Sequence, residues 1–375
     1  MAFKFIHTAD WQIGKPFGNF PGDAGAELRL QRIKTVRKIA ELAKQKAVDA
    51  VVVAGDAFDG NEVADRTIRQ TIDALAPFAG PWVFLPGNHD PALAHSVWTR
   101  MRELDPPPNI IIADQPTPVM LSPGAAILPA PLRRRRESTD QTEWFDSADI
   151  PPGAVRVGLA HGSLANRLPA SAESANEIRE DRAARAGLDY LALGDWHGAL
   201  NVAPGSWYSG SPETDRFRDN LSGQVLLVDI AGHRGAVDVK PVPVGHFLWR
   251  KIEVDIASLT SAAVLASLQS IAGDPGRCVV SLTVRGAISL AERVSLDREL
   301  RTWESRFHYL EVDTAGLVDE PTDDDLDAID TSGFVRLAIG RLKDRLATPG
   351  DPQAAEARMA LRMLYVDHVG QGEPS

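Results

Sequence analysis

The chain has 375 residues, 44% hydrophobic and 24% charged, with a formal net charge of -11. That length suffices for two or three units with buried cores, and the composition excludes a fibrous repeat or long disorder. The negative balance argues against a protein that coats nucleic acid through its overall field, since phosphate affinity needs a cationic surface. Cys278 is the single cysteine, which leaves no intramolecular disulfide and no thiolate cluster, so a reducing cytoplasm is expected. Met1 to Trp11 is interrupted by Lys4, His7 and Asp10 and reads as neither a secretory segment nor a membrane span. No later run reaches spanning length, and no membrane association is expected.

In chain order, the first two thirds repeat one pattern: a short β-branched or aromatic run, then at once a cluster of small and polar residues. Phe3 to His7 runs into Thr8-Ala9-Asp10-Trp11-Gln12, and Ala50 to Ala54 into Gly55-Asp56. Trp82 to Leu85 runs into Pro86-Gly87-Asn88-His89-Asp90. Val155 to Ala160 precedes His161-Gly162, and Tyr190 to Leu193 precedes Gly194-Asp195-Trp196-His197. Between these runs, Glu27 to Lys46 carries Leu28, Ile33, Val36, Ile39, Leu42 and Ala43 at roughly helical spacing, and Arg66 to Phe78 reads the same way. Strands separated by helices predict a layered α/β core whose chemistry lies at strand ends. Val225 to Ile230 and Val237 to Val242 read as strands that close the sheet.

The pattern changes around Val244 to Phe247. Trp249 to Ile256, Cys278 to Val284 and Tyr309 to Val312 read as strands, with helices over Leu259 to Ile271 and Leu290 to Phe307, which predicts a small α/β cap. Glu320 to Asp330 is acidic and expected as loop; Val335 to Leu346 and Ala354 to Val366 have helical patterns. In the last segment Ala355, Met359, Met363 and Val366 form one apolar face with Leu361 and Leu364 beside it, suited to packing on its own cap or to docking a partner chain. The expected division is 1–245, 246–318 and 319–375.

Each strand end of the first region delivers a residue able to ligate a metal: Asp10 and Gln12, Asp56, Asn88 and His89, His161, then Asp195 and His197. One such residue after a strand is ordinarily a turn former or a helix cap. A series of them suits a dinuclear centre, because two divalent cations about 3.5 to 4 Å apart need a bridging carboxylate plus oxygen and imidazole donors from several directions. No Gly-x-Ser-x-Gly elbow or Cys-His pairing competes with that chemistry.

The ordered series Asp-x-Gln, Gly-Asp, Gly-Asn-His-Asp, His-Gly and Gly-Asp-x-His resembles the signatures of calcineurin-like metallophosphoesterases. With His7-Thr8-Ala9-Asp10-Trp11, Gly205-Ser206-Trp207-Tyr208-Ser209-Gly210-Ser211-Pro212 and a C-terminal cap, the chain is similar to SbcD- and YhaO-type DNA repair exonucleases, strongly over residues 1–245 and loosely beyond. The resemblance implies a four-layer α/β/β/α sandwich with a smaller α/β C-terminal cap. It also implies two divalent cations, Mn²⁺ first with Mg²⁺ or Fe²⁺ as alternatives, and hydrolysis of phosphodiester bonds in DNA. By matching position, Asp56 bridges both cations, Asp10 and His197 serve the first, and Asn88 and His161 serve the second. His89 then protonates the leaving oxygen, and Asp90 orients the His89 ring. The family pattern has histidine where Gln12 and Asp195 stand. Both replacements keep an oxygen donor suited to Mn²⁺ or Mg²⁺, so retuned metal binding is expected.

Arg133, Arg134, Arg135 and Arg136 suit a solvated loop, and equally a grip on a phosphate backbone. Tyr208, Ser209 and Ser211 are expected to line a substrate groove, followed by Arg216 and Arg218, whereas His7 and His95 fall on no ligand position and are expected to be structural. The kinship implies a homodimer that acts on DNA with an SMC-like, SbcC-type ATPase; no Gly-x-x-x-x-Gly-Lys-Ser/Thr pattern in this chain supplies nucleotide binding. Two other readings share the same residues. One is a phosphodiesterase for small nucleotides, which needs a closed pocket. The other is a non-catalytic subunit that binds DNA ends or an ATPase, its metal site degenerate at Gln12 and Asp195.

Overall fold

Strands β1 (Phe3–Thr8), β2 (Ala50–Val53), β3 (Trp82–Phe84) and β4 (Ile110–Ile112) pair in parallel in that order. The chain then builds a second sheet from β5 (Val119–Leu121), β6 (Ala125–Ala130), β7 (Val155–His161), β8 (Tyr190–Gly194), β9 (Leu200–Ala203) and β10 (Ser206–Tyr208). Their order is β5-β6-β7-β8-β10-β9, parallel from β6 through β10 and antiparallel at both edges. Strands β11 (Gln224–Ile230) and β12 (Val237–Pro243) return to the first sheet and complete it as β12-β11-β1-β2-β3-β4, antiparallel on the β1 side. This computed structural model describes residues 1–121, 124–168, 176–217, 220–271, 273–329 and 333–371. The chain divides into two units, Met1–Leu248 and Trp249–Ser375.

Alternation of side chains along the strands explains the layers of the first unit. Phe3 and Phe5 of β1, Ala50 and Val52 of β2 and Val83 of β3 point one way, into one core with Ile127, Val155, Val157, Tyr190 and Ala192 of the second sheet. The intervening Ile6, Val51, Val53, Trp82 and Phe84 point the other way. They pack on helices α1 (Ala24–Gln45), α2 (Asp65–Leu75) and α3 (Val97–Glu103) through Val36, Ile39, Ile68, Ile72 and Trp98. On the far side, Leu128, Leu191 and Leu193 meet Phe145 and the short α4 (Arg182–Arg185) region through Ala186. The result is the expected sandwich of helices, sheet, sheet and helical turns. Parallel pairing aims the carboxyl ends of β1, β2 and β3 the same way, with Thr8 opposite Val53 and Val53 opposite Phe84. In the second sheet His161 ends β7 opposite Gly194 of β8.

The second unit holds β13 (Leu248–Leu259), α5 (Ala262–Ile271), β14 (Cys278–Ile288), α6 (Leu290–Glu304) and β15 (Tyr309–Asp319). The sheet order is β13-β14-β15, and β14 and β15 run parallel, as a helical crossover permits. Both strands outrun the sequence expectation, because a bulge between Thr283 and Arg285 carries the pairing past the polar Arg285-Gly286 step. Three helices complete the unit: α7 (Asp323–Ile329), α8 (Phe334–Ala347) and α9 (Ala354–Gln371).

Two expectations change in this unit. Residues 323–329, expected as loop, are helical. Thr322 and Asp325 form a reciprocal cap: Asp325 N–H donates to Thr322 Oγ1 at 3.2 Å, and Asp325 Oδ2 accepts from Thr322 N–H at 2.8 Å. Leu326 is buried with Ile339 of α8 and Leu361 of α9. The apolar face of α9 is also a different one, since Ala357 and Leu361 are buried while Ala355, Met359 and Met363 are exposed. Among the described residues, no helix is long and apolar enough to cross a membrane.

Candidate metal centre

The turns after β1, β2 and β8 place ligand-type side chains on strained backbone. Asp10, Gln12, Asp56 and Asp195 have φ of 53°, 49°, 53° and 98°, in the left-handed region that costs a non-glycine residue about 1 kcal/mol or more. Such geometry persists only where neighbours over-determine it. Here the first two turns are laced together, with Asp10 N–H donating to Gly55 O at 3.1 Å, Gln12 N–H to Asp56 O at 3.0 Å and Ile13 N–H to Ala57 O at 3.0 Å. Two glycines are required by space: a Cβ at Gly87 would fall inside the Asp56 carboxylate, and one at Gly55, where φ is +88°, would fall inside the His161 ring.

Asp10, Asp56 and His161 are all buried, and their ligand atoms lie within 4.8 Å of one another. His161 Nδ1–H donates to the Ala54 carbonyl at 2.8 Å, which leaves Nε2 as the free nitrogen. Nε2 faces oxygens on three sides: Asn88 Oδ1 at 3.2 Å, Asp56 Oδ1 at 3.4 Å and Asp195 Oδ1 at 3.7 Å. Asp56 Oδ1 and Asp195 Oδ1 already accept from His89 N–H at 2.9 Å and Asn88 Nδ2–H at 3.4 Å, but Nε2 and Asn88 Oδ1 are both acceptors 3.2 Å apart, so a proton or a metal cation belongs between them. These residues fit a divalent cation. Asp56 Oδ2 accepts from the Gln12 amide at 2.8 Å, and Asp10 accepts the Asp195 N–H at 3.1 Å.

The electrostatics agree. Burial would lower the His161 ring, but the carboxylates of Asp56, Asp10 and Asp195 outweigh it and raise the ring well above the ordinary histidine range. Burial would raise Asp56, yet His161 and His89 hold it below the ordinary carboxylate range. Asp10, fully buried, is raised. Asp195 is pushed up to about 6 by burial, with the negative charges of Asp10 and Asp56 adding to the rise. A surplus of negative charge around one imidazole is what a resident cation would neutralise.

The remaining expected residues fall into place differently. His197, expected with Asp10 on the other cation, is near enough for its charge to act on Asp10 and Asp195. Its Nδ1 lies 3.4 Å from Asp215 Oδ1 and 2.9 Å from Arg216 Nη2. His89 Nδ1–H donates to the Asp59 carbonyl at 3.1 Å, whereas Asp90, expected to orient that ring, accepts backbone N–H groups from Gly87 at 2.7 Å and Phe58 at 3.0 Å. Asp90 therefore shapes the Gly87–Asp90 turn, and a main-chain carbonyl sets the ring. Tyr208 and Ser211, expected in the substrate groove, are fully buried. The Tyr208 hydroxyl donates to Gly162 O and accepts from Leu164 N–H, both at 2.8 Å, and Ser211 Oγ lies 2.8 Å from the Asp10 carbonyl. Both brace the loops that carry His161 and Asp10. Ser209 is buried as well, and His95 is exposed. Arg218 lies outside the described residues.

Arg133 to Arg136 are exposed on a loop anchored beside the centre. Leu132 N–H donates to Pro86 O at 3.2 Å and Ala92 N–H to Leu132 O at 2.8 Å, tying the loop to both flanks of the Gly87–Asp90 turn. Glu137 N–H donates to Asn176 Oδ1 at 2.7 Å, and Asn176 lies against Gly162. Unforeseen are Lys15, Arg32 and Asp215: the Asp215 carboxylate, 2% exposed, meets Lys15 Nζ at 2.5 Å and Arg32 Nη2 at 3.5 Å. Burial would raise Asp215, but His197, Arg32 and Lys15 hold it well below the carboxylate range. The legible clue was Arg32, one helical turn from both Leu28 and Val36, a charge inside the apolar stripe of α1.

Known proteins with similar sequences are consistent with this geometry. The metallophosphoesterase YhaO of Bacillus subtilis is 24% identical over 70% of this chain and 65% of its own length. The DNA double-strand break repair protein Mre11 of Aeropyrum pernix is 26% identical over 68% of this chain and 64% of its own. The SbcD component of the nuclease SbcCD from Staphylococcus saprophyticus is 34% identical over 23% of each chain. The matched stretches thus span less than two thirds of these relatives. The family model for calcineurin-like phosphoesterases matches residues 3–234, which contain both sheets nearly entire and every ligand-type residue of the centre, and the chain belongs to that family.

Proposed function

We propose that this chain is a nuclease that hydrolyses phosphodiester bonds of DNA, with Asp10, Asp56, Asn88, His161 and Asp195 holding a divalent cation. The observation that carries the reading is the orientation of His161, whose Nδ1–H is tied to Ala54 O so that Nε2 is aimed at three side-chain oxygens. One imidazole among oxygen donors suits Mn²⁺ or Mg²⁺, which when bound supplies Lewis acidity and a water of lowered pKa. His89, its Nδ1–H held by Asp59 O, has Nε2 free to deliver a proton to the departing oxygen. Arg133 to Arg136, four exposed guanidinium groups beside the centre, suit a polyanionic substrate. The relatives named as a nuclease component and a double-strand break repair protein favour DNA over a small ester. An SMC-like ATPase partner, a homodimer and a cytoplasmic location are carried over from the same likeness.

With Mn²⁺ the purified protein is expected to degrade linear duplex DNA faster than cyclic dinucleotides or an aryl phosphodiester. Cleavage of the small esters alone would transfer the reading to a small-nucleotide phosphodiesterase. His89→Ala is expected to lower kcat by about 10²- to 10⁴-fold while bound metal, measured by plasma mass spectrometry, stays constant. Unchanged turnover would remove His89 as the proton donor.

A further inference from the structure

The two cation positions implied by the family likeness are not equivalent in this chain, a difference that has meaning only if the metal-centred reading of the site holds. On the His161 side, Asn88, Asp56 and Asp195 turn oxygens toward a free imidazole nitrogen. On the other side Asp10 accepts the Asp195 N–H at 3.1 Å, and the two side chains that would complete a second site, Gln12 and His197, are engaged by other side chains. The Gln12 amide gives an N–H to Asp56 Oδ2, so the outward carboxylate oxygen has its partner. His197 lies against Arg216, whose Nη2 is 2.9 Å from Nδ1 and 3.4 Å from Nε2 of the ring. A guanidinium only donates and a carboxylate only accepts, and Asp215 Oδ1 lies 3.4 Å from the same Nδ1, so the His197 ring is held between a cation and an anion of the chain itself. Asp215 gathers Arg216 at 3.1 Å, Lys15 at 2.5 Å and Arg32 at 3.5 Å, three cations around one carboxylate beside His197. The excess positive charge of that cluster, with Arg216 against the His197 ring, opposes a further dication and reduces the need for one.

We propose that this chain binds one divalent cation tightly, on the Asn88, His161 and Asp195 side of Asp56, and that Arg216, held by Asp215 against His197, supplies the positive charge of the missing second. Its side chain is 40% exposed, so its N–H groups reach solvent and can meet a substrate phosphate as well as His197. Gln12 complements it: an amide can hydrogen-bond to Asp56 without a metal, whereas a histidine there would add a ligand.

The test is metal stoichiometry on the full chain. After dialysis against Mn²⁺, the wild type is expected to retain one equivalent and to show the resolved hyperfine spectrum of an isolated Mn²⁺ in electron paramagnetic resonance. Gln12→His combined with Arg216→Ala is expected to retain two and to show the spectrum of an exchange-coupled pair. Two tight equivalents in the wild type overturn this inference and leave the phosphoesterase reading standing; none at all overturns both. Because Gln12 is buried, Arg216→Ala alone provides a variant that leaves the core intact. It is expected to tighten a second Mn²⁺ by roughly tenfold or more in calorimetric titration, through removal of one repelling charge. An unchanged second affinity in that variant rejects the role of Arg216.

Discussion

At the scale of single residues, position after a strand marked the ligand-type side chains but not the partner each one takes. Asp90 and His89 are neighbours, yet the turn aims the Asp90 carboxylate at Gly87 and Phe58 and leaves His89 to a carbonyl of another loop. Tyr208 and Ser211 lie near the last motif in sequence, but their side chains turn inward. His7 is structural in a way that can be measured. Its Nε2–H donates to Leu193 O at 3.2 Å and its Nδ1 accepts from Tyr190 O–H at 3.1 Å, so the folded ring is neutral, and burial lowers it from 6.5 to about 3. Between those values the unfolded chain binds a proton that the folded chain refuses. The stability is therefore whole above about pH 6.5 and is lost as pH falls toward 3, by up to about 1.4 kcal/mol per pH unit. Urea unfolding of the wild type is expected to lose about 1 kcal/mol more between pH 7 and 5.5 than that of His7→Gln, and equal losses would refute the assignment.

At the scale of elements, the strands of the first unit were legible because alternation and β-branched runs are local signals. The helix over Asp323–Ile329 was not, since seven residues with three leading aspartates look like solvated loop. A reciprocal cap and one buried leucine stabilise it, and acidic residues in a first turn favour a helix through its dipole. Thr322→Ala is expected to lower the unfolding free energy of the second unit by about 1 kcal/mol, read from its denaturant midpoint. A change below a few tenths of that would show that packing of Leu326 alone suffices. The stripe of Ala355, Met359 and Met363 illustrates the same limit: both it and the Ala357 and Leu361 row have helical spacing, and only the neighbouring helices select which row is covered.

For the whole molecule, a net charge of -11 and an exposed run of four arginines act over different ranges. On the proposed function, the global field opposes the approach of a polyanion, and the local run supplies attraction at short range. Replacing Arg133 to Arg136 by alanine is expected to weaken binding to linear DNA, with metal content unchanged. The dependence of log affinity on log salt is expected to flatten by about 0.9 for each phosphate no longer neutralised. An unaltered salt slope would place the DNA elsewhere.

From the sequence by itself came the sandwich class, the order of ligand-type residues at the strand ends and the family, because each depends on short-range periodicity or on motifs read in series. Tertiary structure alone decided which of those residues meet. Asp10 and Asp195, hydrogen-bonded although 185 positions apart, join through parallel strands of two different sheets. It decided too which nitrogen of His161 is free, and that Gln12 and His197 are engaged by Asp56 and Arg216 of the chain itself. Those outcomes depend on side-chain direction and on charges brought close by folding, such as Asp215 and Arg216 around His197, which spacing along the chain does not encode.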